Sequence, residues 1–362
     1  MIGVGNSVAT SIPEELLKNT CVDVAFIGEG EETDVAFLRA VEQGVDLHTV
    51  KGIAYKDKKG EIIFTEKREV LKDLSDCKIN FKLFDMEKYI PYMSKGVARP
   101  TPIPEDEIRA CPINTARGCV NKCTFCYQVF RNECYRHRSV TDILDDLTFY
   151  NKKIIKDFLD EKEKRGLKFF WNGTCRGNLF LGESDMDLIH RMKKNGCHAM
   201  GYSLESSNVD ILKAMNKNVK VEDFKKQTEL LRRGKINVVT SIVVGYPQET
   251  KETIENTFDV CIECEIIPSV GYLLPQPGSE MYDYARENGF INHEEEYLLA
   301  LGDRQDLRLN MTKMSDDEME KIVEDNIRRC NKALDVECIT DSLLKTQSYY
   351  TKKMIFENKE KN

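Results

Sequence analysis

Apolar positions along the 362-residue chain fall into short runs separated by amphipathic stretches. Asp23-Val-Ala-Phe-Ile-Gly28 is an apolar run that ends in glycine. It leads through Glu29-Gly30-Glu31-Glu32 into a helical spacing reaching about Gln43, with Val35, Phe37, Leu38 and Val41 as its apolar positions. Gly52-Ile-Ala-Tyr55 and Glu61-Ile-Ile-Phe-Thr65 flank Lys58-Lys59-Gly60 and predict a hairpin. Pro91, Pro100, Pro102 and Pro104 crowd residues 91–110, which read as a linker.

The pattern then alternates. Ile113-Asn-Thr-Ala116, Leu167-Lys-Phe-Phe-Trp171, His198-Ala-Met-Gly-Tyr-Ser203, the run from Ile236 to Val244, and Ser269-Val-Gly-Tyr-Leu-Leu274 predict strands. Between them, Val221, Phe224, Thr228 and Leu231, then Ile254, Phe258, Cys261 and Ile262, repeat at helical spacing. Alternating strands and helices imply right-handed β-α-β units around a parallel sheet, open or closed. Ligands in such folds sit at the carboxyl ends of the strands. After about residue 300 the chain reads as helical. Ser315-Asp-Asp-Glu318 is a capping box, and Met319, Ile322, Val323, Ile327, Cys330 and Leu334 form one core-facing stripe.

Composition is that of a globular chain, 41% hydrophobic and 31% charged. No run approaches the roughly 18 apolar residues of a membrane helix, and no basic-then-apolar secretory leader opens the chain. The cytoplasm is the expected compartment. A net charge of −8 argues against a general nucleic-acid binder. Thirteen cysteines, an odd and irregularly spaced set, argue for metal binding plus buried thiols rather than a disulfide framework.

Ala116-Arg-Gly-Cys119-Val-Asn-Lys-Cys123-Thr-Phe-Cys126-Tyr127 carries the most chemistry. Thiolates suit iron–sulfur clusters and zinc. A structural zinc site takes four ligands, and Cys111 or Cys134 would have to supply the fourth. Three closely spaced cysteines suit a cubane cluster better, because they hold three irons and leave the fourth open. Cys261-Ile-Glu-Cys264 is a second close pair, but it lies within a helical pattern and reads as helix packing.

Cys-x3-Cys-x2-Cys with Phe125 before the last cysteine resembles the radical S-adenosylmethionine (SAM) superfamily. The resemblance implies a 4Fe–4S cluster on Cys119, Cys123 and Cys126, with SAM on the open iron. It further implies reductive cleavage of SAM to a 5′-deoxyadenosyl radical and hydrogen abstraction from an organic substrate. Later segments are similar to the branch with a cobalamin-binding domain. Trp171-Asn-Gly-Thr-Cys-Arg176 resembles a strand whose arginine faces the site; Arg176 reads equally as a surface ion pair. Gly201-Tyr-Ser-Leu-Glu205 resembles a strand whose terminal glutamate contacts SAM, although Glu205 could simply favour the dipole of a following helix. Gly245-Tyr-Pro-Gln-Glu-Thr250 resembles the family's Gly-x-Pro-Gly-Glu-Thr turn with Gln248 in place of glycine, although Gly245 and Pro247 also read as shaping the backbone rather than touching ligand. Pro275-Gln-Pro-Gly-Ser279 matches a later turn. By the resemblance, Phe125, Asp146, Arg176, Glu205 and Gly245 are cofactor-binding residues.

Two departures accompany the match. The first ninety residues resemble the later part of a cobalamin-binding Rossmann domain. Its earliest strands lie outside the sequence, and its Asp-x-His-x-x-Gly axial motif is absent, His48 lacking that context. Cobalamin is therefore a possible cofactor without its usual axial ligand. After Val140, about one β-α unit of the family is missing: either Ile143-Leu144 ends the second strand, with Asp145 and Asp146 in the acidic turn that meets the SAM amino group, or 141–164 is all the first helix and that strand is absent. The expected fold is α/β: a partial Rossmann-like domain over 1–90, a linker over 91–110, an incomplete (β/α)6 TIM-like barrel over 111–300 and a helical extension over 301–362. Expected partners are a small-molecule or natural-product substrate, in a methylation or cyclisation, and an electron donor such as flavodoxin or ferredoxin. A non-catalytic cluster- or SAM-binding scaffold and a zinc-stabilised binding protein are the alternatives.

Overall fold

The computed structural model describes residues 1–74, 80–94, 102–112, 116–127, 135–137, 149–302 and 306–335. The chain is α/β. Its N-terminal part begins with β1 (Gly3–Val4), α1 (Asn6–Ser11), α2 (Pro13–Asn19), β2 (Val24–Phe26) and α3 (Gly30–Gln43), followed by β3 (Ile53–Lys56) and β4 (Ile62–Phe64). The four strands form one sheet in the order β1-β2-β3-β4. β1 and β2 are parallel, while β2, β3 and β4 pair antiparallel. The expected hairpin is β3–β4. The Asp57 carboxylate accepts from Lys59 N and Glu61 N, both at 2.8 Å, and Gly60 takes φ 82°, which closes the turn.

α3 forms where its spacing predicts, but its buried face differs. Thr33, Phe37 and Ala40 are buried, whereas Val35, Leu38 and Val41 are 44%, 64% and 47% exposed. Thr33, Phe37 and Ala40 stand four and then three residues apart, which makes one stripe on the sheet. Val35 stands two residues and about 200° on from Thr33, so it and its row face away.

α4 (Met86–Met93) contains Pro91, so the expected linker starts inside a helix. Of the strand expected at 113–116, residues 113–115 lie outside the described residues. Ala116 joins Arg117 in β5 (Ala116–Arg117), which pairs antiparallel with β6 (Arg136–His137). This two-residue ladder closes the base of the cysteine loop instead of opening a parallel sheet.

The remaining elements alternate: α5 (Lys152–Lys164), β7 (Trp171–Thr174), α6 (Met186–Lys194), β8 (Cys197–Gly201), α7 (Val209–Ala214), α8 (Val221–Arg233), β9 (Asn237–Val239), β10 (Ser241–Val244), α9 (Lys251–Glu263), β11 (Ser269–Tyr272), α10 (Glu280–Glu287), α11 (Glu294–Ala300) and α12 (Asp316–Ala333). β7-β8-β9 and β10-β11 are parallel sets. The run expected to strand from Leu167 strands only from Trp171, with Leu167, Phe169 and Phe170 exposed. The run from Ile236 to Val244 is two strands. Thr240 breaks it: its buried hydroxyl accepts from Leu204 N at 3.1 Å, and the chain shifts from β8 to β11 as partner.

One large core joins most of these helices and strands, and a second cluster gathers α7, α10 and α11 around Tyr246. Phe149, Phe158 and Trp171 interlock with ring centroids 5.0–5.9 Å apart, and Trp171 Nε1 donates to Asn195 O at 2.9 Å. α12 packs on α9 through Met319, Ile322, Val323, Ile327 and Cys330, the stripe its sequence spacing predicts. Ser315 Oγ caps α12 by accepting from Glu318 N. Cys261, Cys264 and Cys330 are all buried in this layer, as helix packing requires.

Candidate active site

The cysteine loop leaves β5 through Gly118, whose φ of 81° lets the backbone turn at once. Cys126 N donates to Cys123 O at 3.2 Å, making a tight turn of the Cys-x2-Cys segment. Thr124 ties that turn to the body of the protein. Its N donates to Met215 O at 3.0 Å, its Oγ1 donates to Ala214 O at 2.9 Å, and its hydroxyl pairs with Tyr246 OH at 2.8 Å. Met281 N in turn donates to Thr124 O at 3.1 Å, and Asn216 Nδ2 donates to Lys122 O at 2.7 Å. The residue between Cys123 and Phe125 is thus held by three elements, which fixes the thiols on either side of it.

Cys119, Cys123 and Cys126 line one cavity of about 650 Å³, together with Phe125, Arg176, Glu205 and Lys217. That size suits a cofactor pocket. The cavity opens at the carboxyl ends of β7, β8 and β9, where Thr174, Gly201 and Val239 stand on its wall. Ser203, Ser241 and Ser269 add hydroxyls, and Ser241 Oγ donates to Ser203 Oγ at 2.8 Å.

Glu205 is 5% exposed and holds φ 64°, a left-handed conformation that non-glycine residues rarely adopt. Its backbone is pinned: Glu205 N donates to Ser241 O at 3.1 Å, and Val243 N donates to Glu205 O at 3.0 Å. One carboxylate oxygen, Oε1, pairs with Lys217 Nζ at 2.9 Å, and the other, Oε2, is buried without a hydrogen-bond partner. A buried acceptor left unmet costs about 1–3 kcal/mol, so this oxygen is a ready position for a ligand donor. Glu205 does not cap the following helix. Asn208 does, accepting from Asp210 N and Ile211 N at 2.9 and 3.0 Å.

Lys217 has no sequence signature. It follows α7 in a polar stretch, and only folding carries it under the loop. Its ammonium lies 6.0 Å from the Phe125 ring centroid. Burial pulls its pKa down, but Glu205 beside it and the thiols of Cys123 and Cys119 bring the balance above the ordinary lysine value. Burial pushes the Cys123 thiol up to about 11, with Lys217 acting the opposite way. Phe125 also meets Tyr246 edge-on, with centroids 6.4 Å apart.

Arg176 is half-buried on the cavity wall, and its carbonyl accepts from Gln227 Nε2 at 2.9 Å. Gly245 ends β10 with φ 114° and is not among the lining residues. Its N–H donates to the buried Glu249 Oε2 at 3.2 Å, and Thr253 Oγ1 donates to Oε1 at 3.0 Å. Asp146 lies outside the described residues. His48 is exposed in a short turn, with only its backbone N held by Asp46, and stands away from the cavity.

Among the described residues no three His, Cys, Asp or Glu side chains converge on the position of a single metal ion. A cubane does not need such convergence, because each thiolate binds a different iron. The thiol set, the cavity beside it and the orphaned Glu205 oxygen fit a cluster with an open iron and a polar ligand.

The family model of the Radical SAM superfamily matches residues 113–261. An uncharacterized methyltransferase of Pyrococcus horikoshii is 24% identical over 80% of this chain and 63% of its own length. The anaerobic magnesium-protoporphyrin IX monomethyl ester cyclase of Rubrivivax gelatinosus is 28% identical over 68% of this chain and 46% of its own. The chain thus spans about half the length of the curated relatives it matches. Among solved structures, the radical S-adenosylmethionine methyltransferase TsrM of Kitasatospora setae, with cobalamin and a 4Fe–4S cluster bound, superposes with TM-score 0.57 at 14% identity. That match covers 79% of this chain and 57% of TsrM. The cobalamin-dependent radical enzyme OxsB superposes with TM-score 0.56 at 16% identity, covering 94% of this chain and 49% of its own. The cysteine loop and Glu205 thus lie within residues 113–261, the region that matches the Radical SAM superfamily model.

Proposed function

We propose that this chain binds a 4Fe–4S cluster on Cys119, Cys123 and Cys126, holds SAM against it, and acts as a radical SAM enzyme on a small organic substrate. One observation carries the reading: three thiols and a buried carboxylate with an unmet oxygen share a single cavity at strand ends. When bound, the cluster and SAM supply a one-electron reductive cleavage that yields a 5′-deoxyadenosyl radical for hydrogen abstraction.

The chain's own residues do the rest. Thr124 keeps the thiols in register through its three tethers. Lys217 fixes Glu205 Oε1 and leaves Oε2 to accept from an ammonium or ribose hydroxyl of SAM. Phe125 covers the cluster side of the cavity, Arg176 faces its rim, and Gly245 shapes the turn behind it. Asp146 is the proposed acidic contact to the SAM amino group. β8, buried along all but its last residue, backs the cavity and keeps water from that side. The parallel strands fit an incomplete (β/α)6 barrel over 111–300, with the Rossmann-like unit at 1–90, the linker at 91–110 and the helical extension at 301–362. The similar methyltransferases and cyclases favour methylation or ring closure, and a flavodoxin or ferredoxin would supply the electron.

Anaerobic reconstitution tests the reading. The wild-type chain is expected to take up about four iron and four sulfide and, with dithionite and SAM, to release 5′-deoxyadenosine. Cys123→Ala should lose both. Cluster without product would support the scaffold alternative, zinc without iron the zinc-stabilised one, and unchanged iron and product in Cys123→Ala would sink the assignment.

A further inference from the structure

The two ends of the cysteine loop are fastened to the N-terminal sheet. Arg117 stands two residues before Cys119, and Arg136 is its register partner across the β5–β6 ladder. Both guanidinium groups reach one carboxylate, Glu29, in the turn between β2 and α3. Arg117 Nη1 lies 2.9 Å from Glu29 Oε1, and Arg136 Nη1 lies 3.0 Å from the same oxygen and 3.1 Å from Oε2. Glu29 Oε2 also accepts from Leu71 N at 2.7 Å, and Arg136 Nη1 donates to Leu71 O at 2.6 Å. Arg117 makes a further pair with Glu31.

This is not a surface pair. The side chains of Glu29 and Arg136 are 4% and 8% exposed. Removing one partner of a buried pair leaves a desolvated charge behind, so such a contact resists opening. The hydrogen bonds are charge-assisted on every arm.

The residue just after the last cysteine is fastened separately. Tyr127, directly after Cys126, donates from its hydroxyl to Ser7 O at 2.9 Å and accepts from Ser11 Oγ at 2.9 Å. Gly278 packs against this joint, where an added Cβ would come within 2.9 Å of Ser11 Oγ and 3.1 Å of the Tyr127 ring. The loop is therefore tethered just before its first cysteine by Glu29 and just after its last by α1.

We infer that Glu29 is a positioning residue for the cluster: it clamps the Arg117–Arg136 ladder and, with the Tyr127 tether, makes the N-terminal sheet the mould that fixes the spacing of Cys119, Cys123 and Cys126. The inference rests on the proposed role of those three cysteines, but the clamp is a property of the empty chain and can be measured there. A neighbouring sheet that holds both loop ends limits how far the thiols separate when no cluster bridges them. It also links any movement of the N-terminal unit to the stability of the cluster.

Hydrogen exchange of the iron-free chain, read on peptides covering 116–127 and 197–201, tests this. Glu29→Gln keeps the side-chain volume and removes the charge. Exchange in 116–127 should rise about tenfold, the size of one lost charge-assisted contact, while exchange at β8 stays as in wild type. Tyr127→Phe should raise loop exchange less, about threefold, and keeps the test open if Glu29→Gln fails to fold. After reconstitution, iron loss to a ferrous chelator should quicken in the same order. Loop exchange unchanged in both variants, or raised equally at β8, would overturn the inference. If the wild-type chain takes up no iron or sulfide, the cluster assignment falls, and the exchange data still decide whether the clamp exists.

Discussion

The N-terminal sheet and the layer from Phe149 onward are both α/β, yet they are held together differently. The larger layer has an extensive core, running from Phe149 and Trp171 through Phe224 and Phe258 to Cys330, and a second cluster around Ile211, Tyr246 and Met281. The N-terminal sheet has two small clusters on its opposite faces, one around Ala9, Leu17 and Ala25, the other around Val24, Phe37 and Ile53. It also leaves the α3 row of Val35, Leu38 and Val41 in solvent. Apolar area removed from water is the main stabilising term, at about 25 cal/mol per Å². The sheet with two thin clusters is thus the weaker body, and its polar clamp on the cysteine loop matters correspondingly more.

The sharpest way to break this comparison is to cut each core in turn. Phe258→Ala removes a fully buried ring from the large layer and should cost about 3–5 kcal/mol. The single tryptophan, Trp171, sits in that layer and reports on it alone. In urea, Phe258→Ala should therefore shift the Trp171 fluorescence transition. Phe37→Ala should leave that transition in place and shift an earlier loss of far-UV circular dichroism. Coincident transitions in the wild type, moving together in both variants, would show one cooperative body instead.

A second contrast sets the buried pair of the cavity against that of the clamp. Lys217→Met leaves the Glu205 carboxylate buried with no countercharge, and its loss should cost about 3 kcal/mol. The Trp171 transition should register it, because Glu205 is stitched to β10 in the large layer. An unchanged transition would mean that solvent reaches Glu205 freely.

The smallest expected effect is one of pH. Burial raises the Glu249 pKa from 4.5 to about 7, against the hydrogen bonds from Gly245 and Thr253 that hold it down. The folded state therefore binds this proton more tightly than the unfolded chain. Its contribution is most favourable below pH 4.5 and is lost as pH rises through about 7, by at most about 3 kcal/mol. Glu249→Gln keeps the acceptor for Gly245 N. The variant should lose less melting temperature than the wild type between pH 5 and pH 8, and an equal loss in both would refute the assignment.

Much of this was legible in the residues. The spacing of Cys119, Cys123 and Cys126 singled out the loop whose thiols share the cavity, because residue type and spacing are local properties. Helical periodicity located α8, α9 and α12, whose apolar stripes repeat at 3.6 residues and meet a deep core. Periodicity misjudged α3, since a thin sheet buries only a narrow stripe and several apolar side chains fit either face. The break at Thr240 was hidden in a continuous β-branched run, because which strand each half pairs with is a tertiary matter.

What the sequence by itself determined, then, was the three-cysteine loop, the alternating α/β order and the helices with strong stripes. These depend on neighbours within a few residues. The tertiary structure alone decided that Lys217 meets Glu205, that one Glu205 oxygen stays unmatched, and that Glu29 gathers Arg117 and Arg136. Those contacts join residues from 12 to 107 positions apart, and no local pattern encodes which distant charge will find which once the core has closed.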